Sequence, residues 1–96
     1  MNKPYPIRWT READISYFES MLFILERWSS KEAEYFETLT NELLLNLSYN
    51  LQLCPELKKL KVRKCMISDQ TSLIYRVIGK SIELISFIDN RSDHKY

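Results

Sequence analysis

Two long helical patterns joined by a very short junction constrain the fold of this chain more than any other feature. The first pattern has apolar side chains at spacings of three and four, flanked by two more: Ile15, Phe18, Leu22 and Leu25, with Met21 and Ile24 beside them. It predicts a helix from about residue 11 to about residue 28, with these side chains in a buried stripe. Ser29 and Glu32 then have the spacing of a capping box, which predicts the start of a second helix. Two helices joined this closely form an antiparallel hairpin.

The second helical pattern has apolar residues at the same spacings: Ala33, Phe36, Leu39, Leu43 and Leu47. It extends to about Leu51, and Pro55 prevents its continuation. A hairpin by itself would leave its apolar side exposed to water, so a further layer must cover it.

The remaining segments of the chain favour β-structure. Residues 5–9 are β-prone but contain Pro6, which predicts a short strand that lies at a sheet edge or is irregular at its start. Further segments rich in apolar, β-branched and aromatic residues predict a strand each: 60–67, 73–78 and 82–88. Gly79-Lys80, between the last two segments, has glycine first, which is the pattern of a type II′ hairpin turn.

The predicted fold is therefore α+β, with a short N-terminal strand, an antiparallel helical hairpin and a three-stranded antiparallel β-meander. We expect a single domain over residues 1–96, because a chain of this length can bury one hydrophobic core. Strict alternation along the last strand would place these residues on one face: Ile82, Leu84, Ser86 and Ile88. The opposite face would then carry polar groups among apolar ones, which suits a shallow concave surface.

Cysteine and histidine content argues against a metal or cofactor site. Cys54 and Cys65 are too far apart in sequence for a C-x-x-C pair and are expected to be small buried thiols, and the single histidine is His94. We therefore expect no cofactor and no bound metal. The sequence also has no run of ~20 apolar residues and no apolar segment typical of a signal peptide. We expect a cytoplasmic protein with no membrane partner.

Charge is distributed unevenly along the chain. The net charge is only +1, which supplies no overall field for attracting nucleic acid. Acidic residues outnumber basic ones from Glu12 to Glu56. All the charged residues of the following segment are basic: Lys58, Lys59, Lys61, Arg63 and Lys64. Any contact with phosphate is therefore expected at this segment and at the later arginines.

Short pieces of sequence along the whole chain occur in an order that is typical of one protein family. These pieces are Trp9-Thr10, then Ala13, Asp14, Ile15 and Tyr17, then Glu26-Arg27-Trp28-Ser29, Phe36 and Leu43, Pro55, Val62-Arg63-Lys64, Ile74-Tyr75-Arg76-Val77, Phe87-Ile88-Asp89-Asn90-Arg91 and Asp93. In order and spacing they resemble the RelE/ParE superfamily, whose members are toxins of type II toxin–antitoxin systems. The two long helices and the segment 89–93 resemble the ParE branch more than the RelE branch.

The resemblance implies a toxin that inhibits bacterial growth until an antitoxin, with an extended or helical tail, wraps and neutralises it. ParE-like members block DNA gyrase, whereas RelE-like members cut mRNA on the ribosome without a metal. Asp89 stands where the ParE-like ending has a histidine, so histidine-dependent chemistry is not expected here. Three interpretations follow: a gyrase-blocking toxin that is not an enzyme, a ribosome-dependent mRNA endoribonuclease, and an inactive member that serves only as a structural partner. The long helices and the missing histidine favour the first.

RNA cleavage through attack of a 2′-hydroxyl needs a base, a cation beside the phosphate and an acid for the leaving oxygen. Asp89 and Glu83 are the candidates for the base. Arginines with a planar fork could clamp the phosphate, and lysines could add positive charge: Arg63, Arg76, Arg91, Lys61 and Lys64.

A surface that binds a target or antitoxin would use an overlapping set of residues: Lys61, Arg63, Lys64, Arg76, Asp89, Asn90 and Arg91. Each has a purely structural alternative. Residues 58–64 could be a solvated strand whose charges prevent edge-to-edge pairing. Arg76 could form a cross-strand ion pair with Glu83, and Tyr75 could pack in the core instead of stacking on a base.

Overall fold

The helical hairpin is present in the computed structural model, which describes residues 3–92 and 95–96. Helix α1 spans Arg11–Arg27 and helix α2 spans Ser30–Leu47. The Ser29 hydroxyl accepts a hydrogen bond from the Glu32 amide at 3.1 Å, as the capping box predicts. The second helix ends four residues before the predicted Leu51, since the chain turns at Ser48, whose hydroxyl donates to the Leu45 carbonyl at 2.6 Å.

Five strands form one sheet in the order β1-β5-β4-β3-β2. Their bounds are β1 Ile7–Trp9, β2 Glu56–Leu57, β3 Val62–Met66, β4 Thr71–Ile78 and β5 Ser81–Asp89. Strands β3 to β5 are the predicted antiparallel meander, and β1 lies at an edge, where it pairs in parallel with β5. The sequence did not predict β2, a two-residue strand against β3. The predicted α+β class is confirmed.

The turn between β4 and β5 has the predicted geometry. Ile78 pairs with Ser81 across it, and Gly79 has a φ of 60°. Lys80 is not among the residues with positive φ, which distinguishes a type II′ turn from type I′.

A β-bulge changes which side chains of β5 face the helices. Ile74 pairs with Ser86 and the next residue, Tyr75, pairs with Leu84, so Ile85 is an extra residue in β5. Phe87 therefore joins the buried core with Leu84 instead of lying on the opposite face. The predicted strict alternation is wrong beyond Ile85.

The core lies between the hairpin and one face of the sheet. At its centre four aromatic rings pack together, with centroid distances of 5.0 to 5.7 Å: Trp9, Tyr17, Phe36 and Phe87. Helix α1 also binds the edge of β5 directly. The Thr10 hydroxyl donates to the Leu84 carbonyl at 2.7 Å, and the Ser16 hydroxyl accepts from the Phe87 amide at 2.8 Å. The side chains of Ser16 and of Thr10, the N-cap of α1, thus form hydrogen bonds with backbone groups of β5 at and beyond the end of β1.

The face of α1 that enters the core agrees only in part with the predicted one, since Met21 and Ile24 lie on it and the other predicted residues do not. Ala13 and Ile24 are buried, and Tyr17 and Met21 pack beside them. The other four side chains of the predicted stripe are exposed by 39 to 62%: Ile15, Phe18, Leu22 and Leu25. This helix has apolar residues on two faces, and the face with the small Ala13 allows the closer approach to the sheet. No helix in the described ranges is long and apolar enough to cross a membrane.

Cys54 and Cys65 form a disulfide, so the expectation of two separate thiols is wrong. The bond joins the loop after α2 to β3, and both residues are buried. Eleven positions separate the two cysteines in sequence, and the turn of the chain through β2 brings them together.

Candidate functional site

An arginine pair and one carboxylate form a row across the face of the sheet that points away from the hairpin. Arg8 of β1, Glu83 of β5 and Arg76 of β4 are partners in the sheet register. Arg76 Nε lies 2.7 Å from Glu83 Oε1, and Arg8 binds the other carboxylate oxygen. The Glu83 side chain is only 5% exposed, while those of Arg76 and Arg8 are 51% and 68% exposed. The cross-strand ion pair considered for Arg76 is therefore present, and sequence reasoning missed Arg8.

The row has one more positive than negative charge. Both oxygens of Glu83 bind a guanidinium, so the carboxylate could take a proton from a substrate only by giving up one of these ion pairs. The exposed guanidinium groups remain able to bind a further anionic or polar group. Arg8 could have been found from the sequence only if the parallel pairing of β1 with β5 had been known.

Lys64 lies on the same face of the sheet as this row, on β3. It pairs with Ile74 in the register, and its Nζ donates to the main-chain oxygen of Tyr96 at 3.1 Å. Arg63, the preceding residue, points to the opposite face and donates to the Cys54 carbonyl at 2.6 Å. Lys61 has a φ of 56° in the turn that leads into β3. The three predicted site residues of this segment, Lys61, Arg63 and Lys64, therefore lie in different surroundings.

Tyr75 is a core residue, as the structural alternative predicted. Its side chain is fully buried, and its hydroxyl donates to the Leu51 carbonyl at 2.9 Å. The Cys54 amide donates to the same hydroxyl at 3.4 Å. Burial raises the pKa of Tyr75 above its usual value, and the hydrogen bond from Cys54 opposes that shift. Tyr75 and Arg63 together fasten the loop after α2.

Asn90 ties the end of β5 to the connection between β3 and β4. Its side-chain oxygen accepts from the Ser72 hydroxyl at 2.6 Å. Its side-chain nitrogen donates to the carbonyls of Ser68 and Asp69 at 3.3 and 3.2 Å. These contacts give Asn90 a structural function.

Arg91 and Asp89 form an ion pair at the end of β5, on the side of α1. The Arg91 guanidinium donates to both carboxylate oxygens, at 3.2 and 3.3 Å, and its charge lies 5.8 Å from the centre of the Phe23 ring. The hydrogen bond to Asp89 raises the pKa of Arg91. Both residues line a depression of about 370 Å³ whose other wall is α1. Asp93 and His94 lie outside the described residues.

The predicted site residues thus lie in separate places. Arg76 and Lys64 share the face opposite the hairpin, Arg63 lies on the helix side of β3, and the Asp89–Arg91 pair lies beside α1. The three arginines proposed as a phosphate clamp do not converge on one point. A further cleft of about 270 Å³, which the sequence did not predict, lies between the hairpin tip and the β3–β4 connection and has Trp28, Tyr35 and Asp69 in its lining.

No protein-family model and no curated protein matches the sequence. A solved chain titled as the chromosomal ParDE toxin–antitoxin system from P. aeruginosa is similar in structure, with a TM-score of 0.74 and 18% identity over 88% of this chain and 95% of that chain. A copper-bound mutant toxin from Helicobacter pylori has a TM-score of 0.65 and 16% identity over 90% of this chain and 94% of that chain. The chain shares its fold with these two solved chains. The family resemblance in the sequence is confirmed at the level of the fold.

In this fold the hairpin covers one face of the sheet, and the described residues include two other surfaces that carry predicted site residues. One is the sheet face with the Arg8–Glu83–Arg76 row. The other is the outward side of α1, with the Asp89–Arg91 pair beside it. The first surface is charged and the second is largely apolar.

Proposed function

We propose that this chain is the toxin of a type II toxin–antitoxin pair, that an antitoxin protein holds it inactive, and that it stops growth by binding DNA gyrase. The toxin assignment is supported by the fold it shares with a chain of the ParDE system. The observation that supports binding over catalysis is the separation of Arg63, Arg76 and Arg91 onto different surfaces. A phosphate clamp requires its cations around one reacting group.

The paired state of the candidate base supports the same proposal. Glu83 is held by two arginines, and Asp89 is bound by Arg91 from its own segment. A surface of preformed ion pairs suits recognition of another protein, where such pairs fix orientation.

Cleavage of mRNA on the ribosome is the second candidate function. It is favoured by the exposed guanidinium groups of Arg8 and Arg76, which lie with Lys64 on the face of the sheet opposite the hairpin. If the chain were a nuclease, this face would hold the substrate phosphate, with Arg8 added to the residues predicted from the sequence. The cytoplasmic location expected from the sequence suits both candidates.

Induced expression of the chain in a bacterium tests the proposal. We expect growth arrest, altered DNA supercoiling with a DNA-damage response, and intact mRNA, and we expect co-expression of the antitoxin encoded beside it to restore growth. Rapid cleavage of translated mRNA would instead support the nuclease function, and continued growth would leave only the inactive structural partner. The single variants Arg8→Ala and Arg76→Ala, each of which leaves Glu83 one cation, separate the two mechanisms, because a nuclease that clamps phosphate on this face would lose most of its cleavage in either variant.

A further inference from the structure

The outward face of α1 presents an unusually apolar surface. Four side chains, which we call the apolar stripe, are exposed by 49, 62, 39 and 46%: Ile15, Phe18, Leu22 and Leu25. Their spacings of three, four and three are those of the a and d positions of a heptad. This spacing forms the seam that receives the apolar side of another helix.

Acidic residues follow the apolar stripe along one side. Glu12, Glu19 and Glu26 are all exposed and recur every seven residues, at the e positions of the same heptad. We call them the acidic border. The opposite border consists of Asp14, Met21 and Trp28, so neither border carries a basic residue. Beside the stripe, Glu12 and Glu19, with Arg11 at the N-terminal end, line a depression of about 420 Å³ that has room for long side chains of a partner.

A second copy of this chain fits the apolar stripe in shape but not in charge. In an antiparallel pair Ile15 would meet Leu25 of the other copy, and Phe18 would meet Leu22, because the stripe is symmetric about Ser20. The same pairing would bring the two acidic borders together along their whole length. Like charges at these positions disfavour association, so the occupant must carry the opposite charge.

We propose that the outward face of α1 is the docking surface for an amphipathic helix of a partner protein, with apolar residues at a and d and lysine or arginine along the border that meets Glu12, Glu19 and Glu26. The identification of this partner as the antitoxin rests on the proposed function. The apolar and basic character proposed for the partner helix does not rest on the proposed function, since it follows from the exposed stripe and its acidic border. Basic groups on the partner would pair with the border and also orient the helix on the stripe.

Binding of a designed peptide to the purified chain tests this inference. The probe is a helical peptide of about three heptads with leucine at a and d and lysine at e and g, labelled for fluorescence anisotropy. Its control has glutamate at every lysine position. We expect the lysine peptide to bind at least about tenfold more tightly than the glutamate peptide, and to lose affinity as salt is added.

Two sets of variants locate the binding. The triple variant Glu12→Lys, Glu19→Lys and Glu26→Lys should reverse the preference between the peptides. Its matched control makes the same charge change on α2, at the exposed residues Glu34, Glu37 and Glu42, and should keep the original preference. Phe18→Asn should weaken binding of the lysine peptide, whereas Leu45→Asn, at a residue of α2 that is 61% exposed, should not. Circular dichroism checks that each variant is folded.

Several outcomes would overturn the inference. They are equal binding of the two peptides, no binding of either, an unchanged preference in the α1 triple variant, and dimerisation of the chain through the stripe in analytical ultracentrifugation. Growth arrest by the unmodified chain is measured separately and reports the proposed function. If the chain binds the lysine peptide but does not arrest growth, the proposed function is contradicted and the proposed docking surface is supported.

Discussion

Glu83 binds Arg76 across the β4–β5 hairpin, with 2.7 Å between Oε1 and Nε, although only 5% of the Glu83 side chain is exposed. Arg8 binds the same carboxylate from the N-terminal strand. A nearly buried carboxylate is costly without a cation, and here it has two. This arrangement couples β1 to the hairpin, and it makes the stability of the chain depend on the two arginines jointly.

We expect Arg8→Ala and Arg76→Ala each to lower the free energy of unfolding by about 1 kcal/mol, because Glu83 keeps one cation and the exposed arginines are screened by solvent. The double variant should lose about 3 kcal/mol or more, since the carboxylate is then buried without a partner. Urea unfolding of the four proteins in this double-mutant cycle measures the coupling. Strictly additive losses would show that the arginines act independently.

Tyr75 should make the stability of the fold depend on alkaline pH. Burial raises its pKa above the ordinary value of 10.0 in the folded state, so the folded chain resists ionisation that the unfolded chain permits. Stability is therefore complete below pH 10.0 and is lost as the pH rises through the raised pKa. Tyr75→Phe should reduce this loss, and at neutral pH it should cost about 1 kcal/mol through the lost hydrogen bond to Leu51. Tyr35→Phe, at an exposed tyrosine, is the matched control for the pH dependence.

The Cys54–Cys65 disulfide should stabilise the fold by restricting the unfolded chain. The double variant Cys54→Ala/Cys65→Ala should lower the free energy of unfolding by about 2–4 kcal/mol relative to the oxidised protein. A reducing agent should destabilise the unmodified protein and have no effect on the double variant. Equal stability of the oxidised and reduced proteins would contradict this.

Arg91→Ala should relieve growth inhibition while leaving the fold intact. Its side chain is 55% exposed and contacts Asp89 and the Phe23 ring, so its removal should leave the urea unfolding midpoint nearly unchanged. Lys80→Ala, in the exposed β4–β5 turn, is the control. Colony formation on induced expression provides the measurement, and full toxicity of Arg91→Ala would remove this segment from the functional surface.

Local signals in the sequence were enough to predict the helices and the meander. The capping box at Ser29 and Glu32 and the glycine at position 79 each act within a few residues, and the structure has the geometry that each predicts. The ion pair between Arg76 and Glu83, one of two alternatives considered for Arg76, was accessible for the same reason, because the tight turn fixes the register of β4 and β5.

Long-range packing decided the features that the sequence did not reveal. Helical spacing shows that α1 is amphipathic, but not that Ala13 enters the core while Phe18 stays exposed. The bulge at Ile85, the contact of Arg8 with Glu83 and the meeting of Cys54 with Cys65 all depend on pairing between distant segments. For that reason the sequence predicted the candidate site residues as one cluster, whereas in the structure they lie on several surfaces.

The most direct test of the proposed mechanism is to add the purified chain to two reactions in parallel, supercoiling of plasmid DNA by gyrase and translation of a reporter mRNA by purified ribosomes. A toxin that acts by binding gyrase should inhibit supercoiling and leave the mRNA uncut, and its antitoxin should reverse the inhibition. Cleavage of the mRNA on the ribosome with unaffected supercoiling would contradict this account and assign the activity to the sheet face that carries Arg8 and Arg76.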